Sequence, residues 1–128
     1  MEQGSEHTLS ILVVEDDEAI AEVIRTVLND EVGWGATVVH SADAARQVFR
    51  HVRSEVLVID VNLPGTSGLD LLILLRQDPR WHAPSIILMS ANVSQPGILN
   101  AVNDGLVTAF LRKPFAPDQL VAEIRAAA

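Results

Sequence analysis

Cysteine is absent from this sequence of 128 residues, so disulfides, thiolate metal sites and thiol catalysis are all excluded. Basic residues are scarce: nine lysines and arginines stand against 17 aspartates and glutamates, which gives a formal net charge of -8. Because affinity for nucleic acid depends largely on cationic side chains that neutralise phosphates, we expect no direct nucleic-acid binding. The acidic excess also favours solubility through self-repulsion, so by itself it identifies no partner.

Long apolar runs are missing as well. The longest apolar stretches, such as Leu71 to Leu75 and Ile86 to Met89, are far shorter than the roughly 20 residues that a membrane helix needs. Residues 1–8 are polar and acidic, without the basic and apolar regions of a secretory signal. We interpret residues 1–8 as a polar leader before a single domain at 9–128, and we expect a cytoplasmic protein with no membrane span.

Hydrophobic residues make up 48% of the chain, which is enough to form one buried core in a domain of this length. Short apolar runs predict strands at Leu9–Val14, Ala36–Val39, Val56–Ile59, Ser85–Met89 and Thr108–Leu111. Apolar residues at helical spacing predict helices at Glu18–Leu28, after Ser41, at Leu69–Arg76, at Ile98–Asn103 and at Asp118–Ala127. Strict alternation requires parallel strands joined by right-handed crossovers. The predicted fold is α/β, a three-layer doubly wound (βα)5 sandwich with a five-stranded parallel sheet.

Some predictions concern single side chains. Val23 and Val52 are among the residues predicted on the inward faces of the first two helices. Trp34 and Trp81 fall in predicted loops, where exposed aromatic contact sites are one possibility. The four histidines lack the spacing of metal ligands, and we interpret them as structural or surface residues.

Five polar side chains stand at the ends of four predicted strands. Glu15 and Asp16 follow the first strand, Asp60 the third, Ser90 the fourth and Lys113 the fifth. Because ligands of open parallel sheets bind outside the carboxyl ends of the strands, we expect these side chains to converge there. On helix surfaces the same residues would be ordinary solvated charges.

Three carboxylates at one sheet edge repel each other, at about 4 kcal/mol for each pair 4 Å apart in an effective dielectric near 20. Hard oxygen ligands of this kind suit Mg²⁺, or Mn²⁺, and Lys113 supplies a second positive charge. Together the two cations would neutralise a phosphoryl group during transfer. Asp60 is the natural nucleophile, since carboxylates form aspartyl-phosphates, and Ser90 would donate a hydrogen bond to a phosphoryl oxygen.

Four segments resemble the signature segments of response-regulator receiver domains, which have a flavodoxin-like fold. They are ILVVEDDE at 11–18, LVIDVNLPGTSG at 57–68, ILMSAN at 87–92 and FLRKPF at 110–115. Each segment alone is a weak signal, but their order and spacing along an alternating α/β pattern are highly specific. The resemblance covers nearly the whole chain.

The resemblance implies a role for each matching residue. It implies that Asp60 is the phosphoacceptor, that Ser90 and Lys113 bind the phosphoryl group, and that Phe110 is an aromatic whose rotamer changes on activation. The implied metal ligands are Glu15, Asp16, Asp60 and the backbone carbonyl of Asn62. On the residues alone, Phe110 is equally well explained as ordinary core.

The resemblance also implies partners. They are a histidine kinase or histidine phosphotransfer protein as the donor and an unknown effector domain or protein, with a second copy in a homodimer as a further option. The chain would be a phosphoacceptor signalling domain that assists its own phosphorylation and dephosphorylation, not an enzyme acting on external substrates. A cis bond before Pro114 is compatible with the sequence and would orient Lys113 inward.

Two alternatives stay open at this point. The first is an interaction module that binds partners without being phosphorylated, and the intact set of Glu15, Asp16, Asp60 and Lys113 counts against it. The second is an aspartyl phosphatase that turns over external substrates. Such an enzyme usually needs a second acid two residues after the nucleophile, where this chain has Asn62.

Overall fold

Strands and helices alternate along the chain in the computed structural model, which describes residues 7–92 and 97–128. The strands are β1 (Ser10–Val14), β2 (Gly35–Val39), β3 (Val56–Asp60), β4 (Ser85–Ser90) and β5 (Ala109–Arg112). The helices are α1 (Glu18–Arg25), α2 (Ala42–His51), α3 (Gly68–Arg76), α4 (Ile98–Asn103) and α5 (Pro117–Ala127). A π-helical segment, Thr26–Glu31, continues α1. Each predicted element is present.

The described strands form one parallel sheet in the order β2-β1-β3-β4-β5. The chain moves outward from β1 to β2 and then returns to the other side of β1, so the strand order reverses between β1 and β3. In sheets of this kind, the crevice at the carboxyl ends of these two strands is the usual ligand site. The predicted α/β sandwich is confirmed.

Two apolar clusters fill the space between the sheet and its helices. Phe49, Leu72 and Ile98 bring α2, α3 and α4 onto one face, while Ile24 and Ile124 bring α1 and α5 onto the other. Burying one such side chain contributes about 1.5–3 kcal/mol. All five residues of β3 are buried, so the strand that ends at Asp60 is anchored on both faces.

The first helix differs from its prediction. The α-helical hydrogen bonding ends at Arg25, and the amide of Val32 then donates to the carbonyl of Val27, five residues back, at 2.9 Å. The Asn29 side chain closes this segment against β2, because it donates to the Ala36 carbonyl (3.0 Å) and accepts from the Ala36 amide (2.7 Å).

Three single-residue predictions need correction. Trp34 is not an exposed loop aromatic: it is only 5% exposed and belongs to the core beneath α1 and α5. Val23 is exposed because the inward stripe of α1 passes through Ala21 and Ile24 instead. Val52 is exposed because α2 has already ended at His51, so Val52 no longer belongs to a helical face.

Trp81 is half-buried, with its ring centroid 6.1 Å from that of Phe49. No helix among the described residues is long and apolar enough to cross a membrane.

Candidate functional site

The acidic loop after β1 is fixed to its neighbours by backbone contacts. The amide of Glu15 donates to the carbonyl of Val39 at 3.0 Å, which holds the end of β1 against β2. The Nδ1 atom of His40 lies 3.0 Å from the Glu15 carbonyl oxygen. Asp17 caps α1 by accepting a hydrogen bond from the Ile20 amide, as expected for an acid at a helix start. The loop therefore presents Glu15 and Asp16 toward the crevice between β1 and β3.

Lys113 connects two buried carboxylates. Its Nζ atom donates to Oε1 of Glu15 at 2.6 Å and to Oδ2 of Asp60 at 2.7 Å. The side chains of Glu15 and Asp60 are 0% and 4% exposed, and that of Lys113 is 18% exposed. The peptide bond between Lys113 and Pro114 is cis. The structure thus brings together residues that are 98 and 53 positions from Lys113 in the sequence.

The second oxygen of each carboxylate is also held. Oε2 of Glu15 accepts from the Asp17 amide at 3.1 Å, and Oδ1 of Asp60 accepts from the Asn62 amide at 2.9 Å. Both bonds are made within the loop that follows the strand, so the backbone turn itself orients the acid. Hydrogen bonds to ionised carboxylates are stronger than those between neutral groups, which keeps these orientations well defined.

The shared site shifts the ionisation of its members. Burial raises the pKa of Glu15 above its usual range, although hydrogen bonds from Lys113 and the Asp17 amide oppose the shift. Burial alone would lower the pKa of Lys113. The hydrogen bonds and charges of Asp60 and Glu15 outweigh that effect, so the Lys113 pKa lies above its usual value. Lys113 is therefore a permanent cation at physiological pH.

The donor set fits a hard divalent cation. Carboxylate oxygens of Glu15, Asp16 and Asp60 lie within 4.8 Å of one another. Three carboxylates and one ammonium leave a formal charge of about -2, which a divalent ion would balance. Mg²⁺ is typically bound by one or two carboxylates with several waters, and exposed Asp16 leaves a path to solvent. Asn62 is exposed beside this cluster, and its carbonyl as a ligand stays a prediction.

Ser90 and Phe110 lie at the edge of this arrangement. The Ser90 hydroxyl is buried at the end of β4, and it donates to the carbonyl of Asn92 and accepts from its amide, both at 3.1 Å. The amide of Lys113 donates to the Ser90 carbonyl at 2.9 Å, which ties the ends of β4 and β5 together. Phe110 pairs with Leu88 in the sheet and is half-buried against the core under α2, α3 and α4. Their roles as switch residues stay predictions.

Gly68 is a site residue that the sequence analysis included only as the last residue of the segment at 57–68. Its amide donates to the Val61 carbonyl at 2.8 Å. A methyl group at this position would overlap the carbonyl oxygen of Asp60 and lie 2.8 Å from the Cα atom of Val61. The backbone after β3 can therefore fold closely over α3 only if residue 68 has no side chain. A glycine at the start of an otherwise strongly apolar helix was the available signal.

The geometry can be compared with known proteins. The family model described as the response regulator receiver domain matches residues 11–125. The chain belongs to this family. It is therefore a receiver domain of two-component signalling, and its family and fold agree with the resemblance described in the sequence analysis.

Curated relatives of this receiver are longer proteins. The DNA-binding response regulator MtrA of Mycobacterium tuberculosis is 32% identical over 116 residues, which are 91% of this chain but only 49% of MtrA. The chain thus spans about half the length of the curated relatives that it matches. The name of MtrA describes that whole protein as DNA-binding, so the relatives do not support the expectation of no direct nucleic-acid binding.

Solved structures agree with the fold. The chemotaxis response regulator CheY4 of Vibrio cholerae superposes with a TM-score of 0.84 at 20% identity, covering 95% of this chain and all of that one. A sensor protein of a Polaromonas species is 31% identical, with a TM-score of 0.81, and the match covers 93% of this receiver and 94% of that chain. The flavodoxin-like receiver fold is thereby established for this chain.

Proposed function

We propose that this receiver accepts a phosphoryl group on Asp60 from a histidine kinase or histidine phosphotransfer protein, in a reaction that depends on Mg²⁺. The observation that supports this most directly is the buried Asp60 carboxylate, held by Lys113 beside Glu15 and Asp16. Burying like charges together is unfavourable, so a fold that retains this set has a use for its charges.

In the proposed reaction, a carboxylate oxygen of Asp60 attacks the phosphorus of a phosphohistidine. The phosphorus–nitrogen bond breaks, a phosphorus–oxygen bond forms, and the histidine leaves with the electron pair of the broken bond. Lys113 is already 2.7 Å from Oδ2 of Asp60 and would stabilise negative charge on the phosphoryl oxygens. When bound by Glu15, Asp16, Asp60 and the Asn62 carbonyl, Mg²⁺ or Mn²⁺ would supply further positive charge to those oxygens.

The phosphoryl group would then shift the conformational equilibrium. In the structure the hydroxyl of Ser90 donates to the carbonyl of Asn92 and accepts from its amide. New acceptor oxygens on Asp60 would favour a conformer in which Ser90 turns toward them, and only such differential affinity can move an equilibrium. Phe110 would relay this change to the surface formed by α4 and β5, where an effector or a second copy would bind.

An apolar groove beside the site supports a protein as the phosphodonor. It has a volume of about 430 Å³ and lies between α1 and the start of α5. Its walls include Ile20, Val23 and Phe115, and Lys113 belongs both to the groove and to the acidic site. A donor helix that carries the phosphohistidine could bury its apolar residues here while its histidine reaches Asp60.

The two alternatives make different demands on this geometry. An interaction module that is never phosphorylated gains nothing from an ammonium buried between two carboxylates, which is costly to maintain. An aspartyl phosphatase usually needs a second acid two residues after the nucleophile, but position 62 is an exposed asparagine, and its backbone amide donates a hydrogen bond to the Asp60 carboxylate. We therefore propose a signalling receiver, not an enzyme with external substrates.

The test is phosphorylation of the purified chain by acetyl phosphate with Mg²⁺, followed by intact mass measurement. We expect one phosphoryl group on the wild type, none on Asp60→Asn, and none on the wild type in EDTA. An unmodified wild type would contradict the proposal and favour the interaction module. An adduct that persists in Asp60→Asn would remove Asp60 from its role.

The groove has a separate test. A histidine kinase that phosphorylates the wild-type chain should transfer more slowly to Val23→Asp, while acetyl phosphate should react equally with both. Equal transfer from the kinase to both chains would show that the groove does not bind the donor.

A further inference from the structure

A basic cleft lies at the amino-terminal edge of the sheet, opposite Asp60. It is formed by the end of α2 and by the loop that leads into β4, and its volume is about 430 Å³. Three of the nine basic residues of the chain line it, namely Arg50, Arg53 and Arg80. In a chain with a net charge of -8, this concentration of guanidinium groups in one concave site is unusual.

Two acidic residues near the cleft offset part of this positive charge. Asp78 lies 3.6 Å from the Nε atom of Arg50. Glu55, the other nearby acid, makes its hydrogen bonds to the amide of Ser10 at 3.0 Å and to His7 at 2.9 Å, and the charge of Arg53 also contributes to lowering its pKa.

Within residues 7–92 and 97–128, Arg53 and Arg80 form no salt bridge. Three guanidinium groups around one cleft repel each other, and an anion between them would relieve that repulsion.

One wall of the cleft is aromatic. Trp81 is half-buried there, and its ring lies against Phe49, with centroids 6.1 Å apart. The imidazole of His82 stacks on Phe49 from another side, with a centroid distance of 5.5 Å and an interplanar angle of 13°. A flat ring system of a ligand could therefore contact the indole while the arginines hold an attached anion.

The walls are held in place before any ligand arrives. The ring nitrogens of His82 lie 3.0 Å from the Arg80 carbonyl oxygen and 2.6 Å from that of Ser54, so His82 links the two sides of the cleft. The next residue, Ala83, has a φ of +53° although it carries a side chain and precedes a proline. Conformations of this kind persist where the surrounding structure enforces them, often at ligand sites.

We propose that the basic cleft binds a nucleoside phosphate, with the phosphates on Arg53 and Arg80 and the base against Trp81. The volume falls in the range of small-molecule pockets and exceeds what a lone phosphate needs. Guanidinium groups bind phosphate with charge-assisted hydrogen bonds, and aromatic side chains stack on bases. The site is separate from Asp60 and would give the receiver a second input.

The experiment uses ATP in EDTA as the probe, with the full chain. The sequence has two tryptophans, so in a Trp34→Phe background the fluorescence reports on Trp81 alone. We expect a saturable change in Trp81 fluorescence, and calorimetry on the wild type should give the same affinity. The double variant Arg53→Gln/Arg80→Gln should bind ATP at least about tenfold more weakly than the wild type does. The matched control Arg76→Gln/Arg112→Gln removes the same charge from exposed positions outside the cleft and should bind ATP as the wild type does.

Further probes distinguish the contribution of the base, which would contact Trp81, from that of the phosphates. Trp81→Ala should weaken ATP binding but leave the affinity for tripolyphosphate unchanged, and ATP should bind more tightly than tripolyphosphate. The proposal is overturned if no saturable binding occurs, if both double variants lose affinity equally, or if tripolyphosphate binds as well as ATP. Tighter binding of a polyglutamate peptide than of ATP would also overturn it, because the occupant would then be an acidic protein segment.

Discussion

Replacing Lys113 with methionine would leave Glu15 and Asp60 buried without their shared cation. Each of its two contacts, at 2.6 and 2.7 Å, corresponds to about 6 kcal/mol of Coulomb attraction at an effective dielectric near 20. The desolvation of the ammonium group offsets much of this attraction in the wild type. Breaking a buried pair by removing one partner typically costs about 3–5 kcal/mol. We expect Lys113→Met to lower the free energy of unfolding by that amount, out of the roughly 5–15 kcal/mol that a small domain has.

The assay is urea unfolding in EDTA at neutral pH, followed by tryptophan fluorescence, to which buried Trp34 and half-buried Trp81 both contribute. A double-mutant cycle with Asp60→Asn should show strong coupling, because removing the Asp60 charge also removes most of the penalty. Mg²⁺ should restore part of the stability of Lys113→Met by taking over the role of the cation.

The pH dependence follows from the raised pKa of Lys113. Its contribution is fully present below the unfolded value near 10.5 and is lost as the pH rises through the higher folded value. The wild type should therefore keep its advantage over Lys113→Met throughout the neutral and mildly alkaline range.

The control is Arg112→Met, which removes a positive charge from the exposed neighbouring residue and should change stability by less than about 0.5 kcal/mol. A loss below about 1 kcal/mol for Lys113→Met would refute the interpretation of the site as a charge-balanced cluster. An equal loss in the wild-type and Asp60→Asn backgrounds would refute it as well.

Three further perturbations have expected outcomes that can be measured by urea unfolding. Gly68→Ala should destabilise the fold by about 3 kcal/mol because its methyl group would overlap backbone atoms. In the control Gly35→Ala the methyl group would lie at an ordinary contact distance, so that variant should keep its stability. Equal effects of the two substitutions would contradict the packing described at position 68. Glu55→Gln should lower the free energy of unfolding at pH 7, because the Ser10 amide favours the ionised Glu55 carboxylate and so lowers its pKa. The expected loss is only about 0.5–1 kcal/mol, since the Glu55 side chain is 41% exposed and solvent screens its charge. That loss should vanish as the pH falls below 4.5 through the folded pKa; a difference that persists in acid would contradict it. Mg²⁺ at about ten times its Kd should stabilise the wild type by about 1.4 kcal/mol, but Asp16→Asn much less; an unchanged response would exclude Asp16 as a ligand.

The architecture could be predicted because local patterns determine it. Apolar runs of four to six residues predict buried strands, and the polar residue that follows each run marks the edge of the sheet where the carboxyl ends of the strands lie. Parallel pairing then brings Glu15, Asp60 and Lys113 to one place, whatever the side-chain details. The contacts among these three side chains agree with that expectation.

Features that depend on tertiary packing were not predictable in the same way. Trp34 stands in a segment that looks like a loop, and only the assembled layers show that it fills space under α5, with the Arg125 guanidinium 5.4 Å above its ring. The π-helical segment bonds to β2 through the Asn29 side chain, a contact that hydrophobic periodicity does not encode. The close approach of Gly68 to Asp60 likewise depends on how tightly one loop closes on a helix.

The buried charge cluster has a consequence for protein engineering. Apolar replacements of similar size at buried ion pairs are often neutral or stabilise a fold by about 1–4 kcal/mol. A library of this domain that is selected only for heat resistance should therefore accumulate matched apolar substitutions at positions 15, 60 and 113. The surviving clones would be thermally stable but unable to respond to a phosphodonor, because the tolerance to heat would be gained at the positions through which the domain receives its signal.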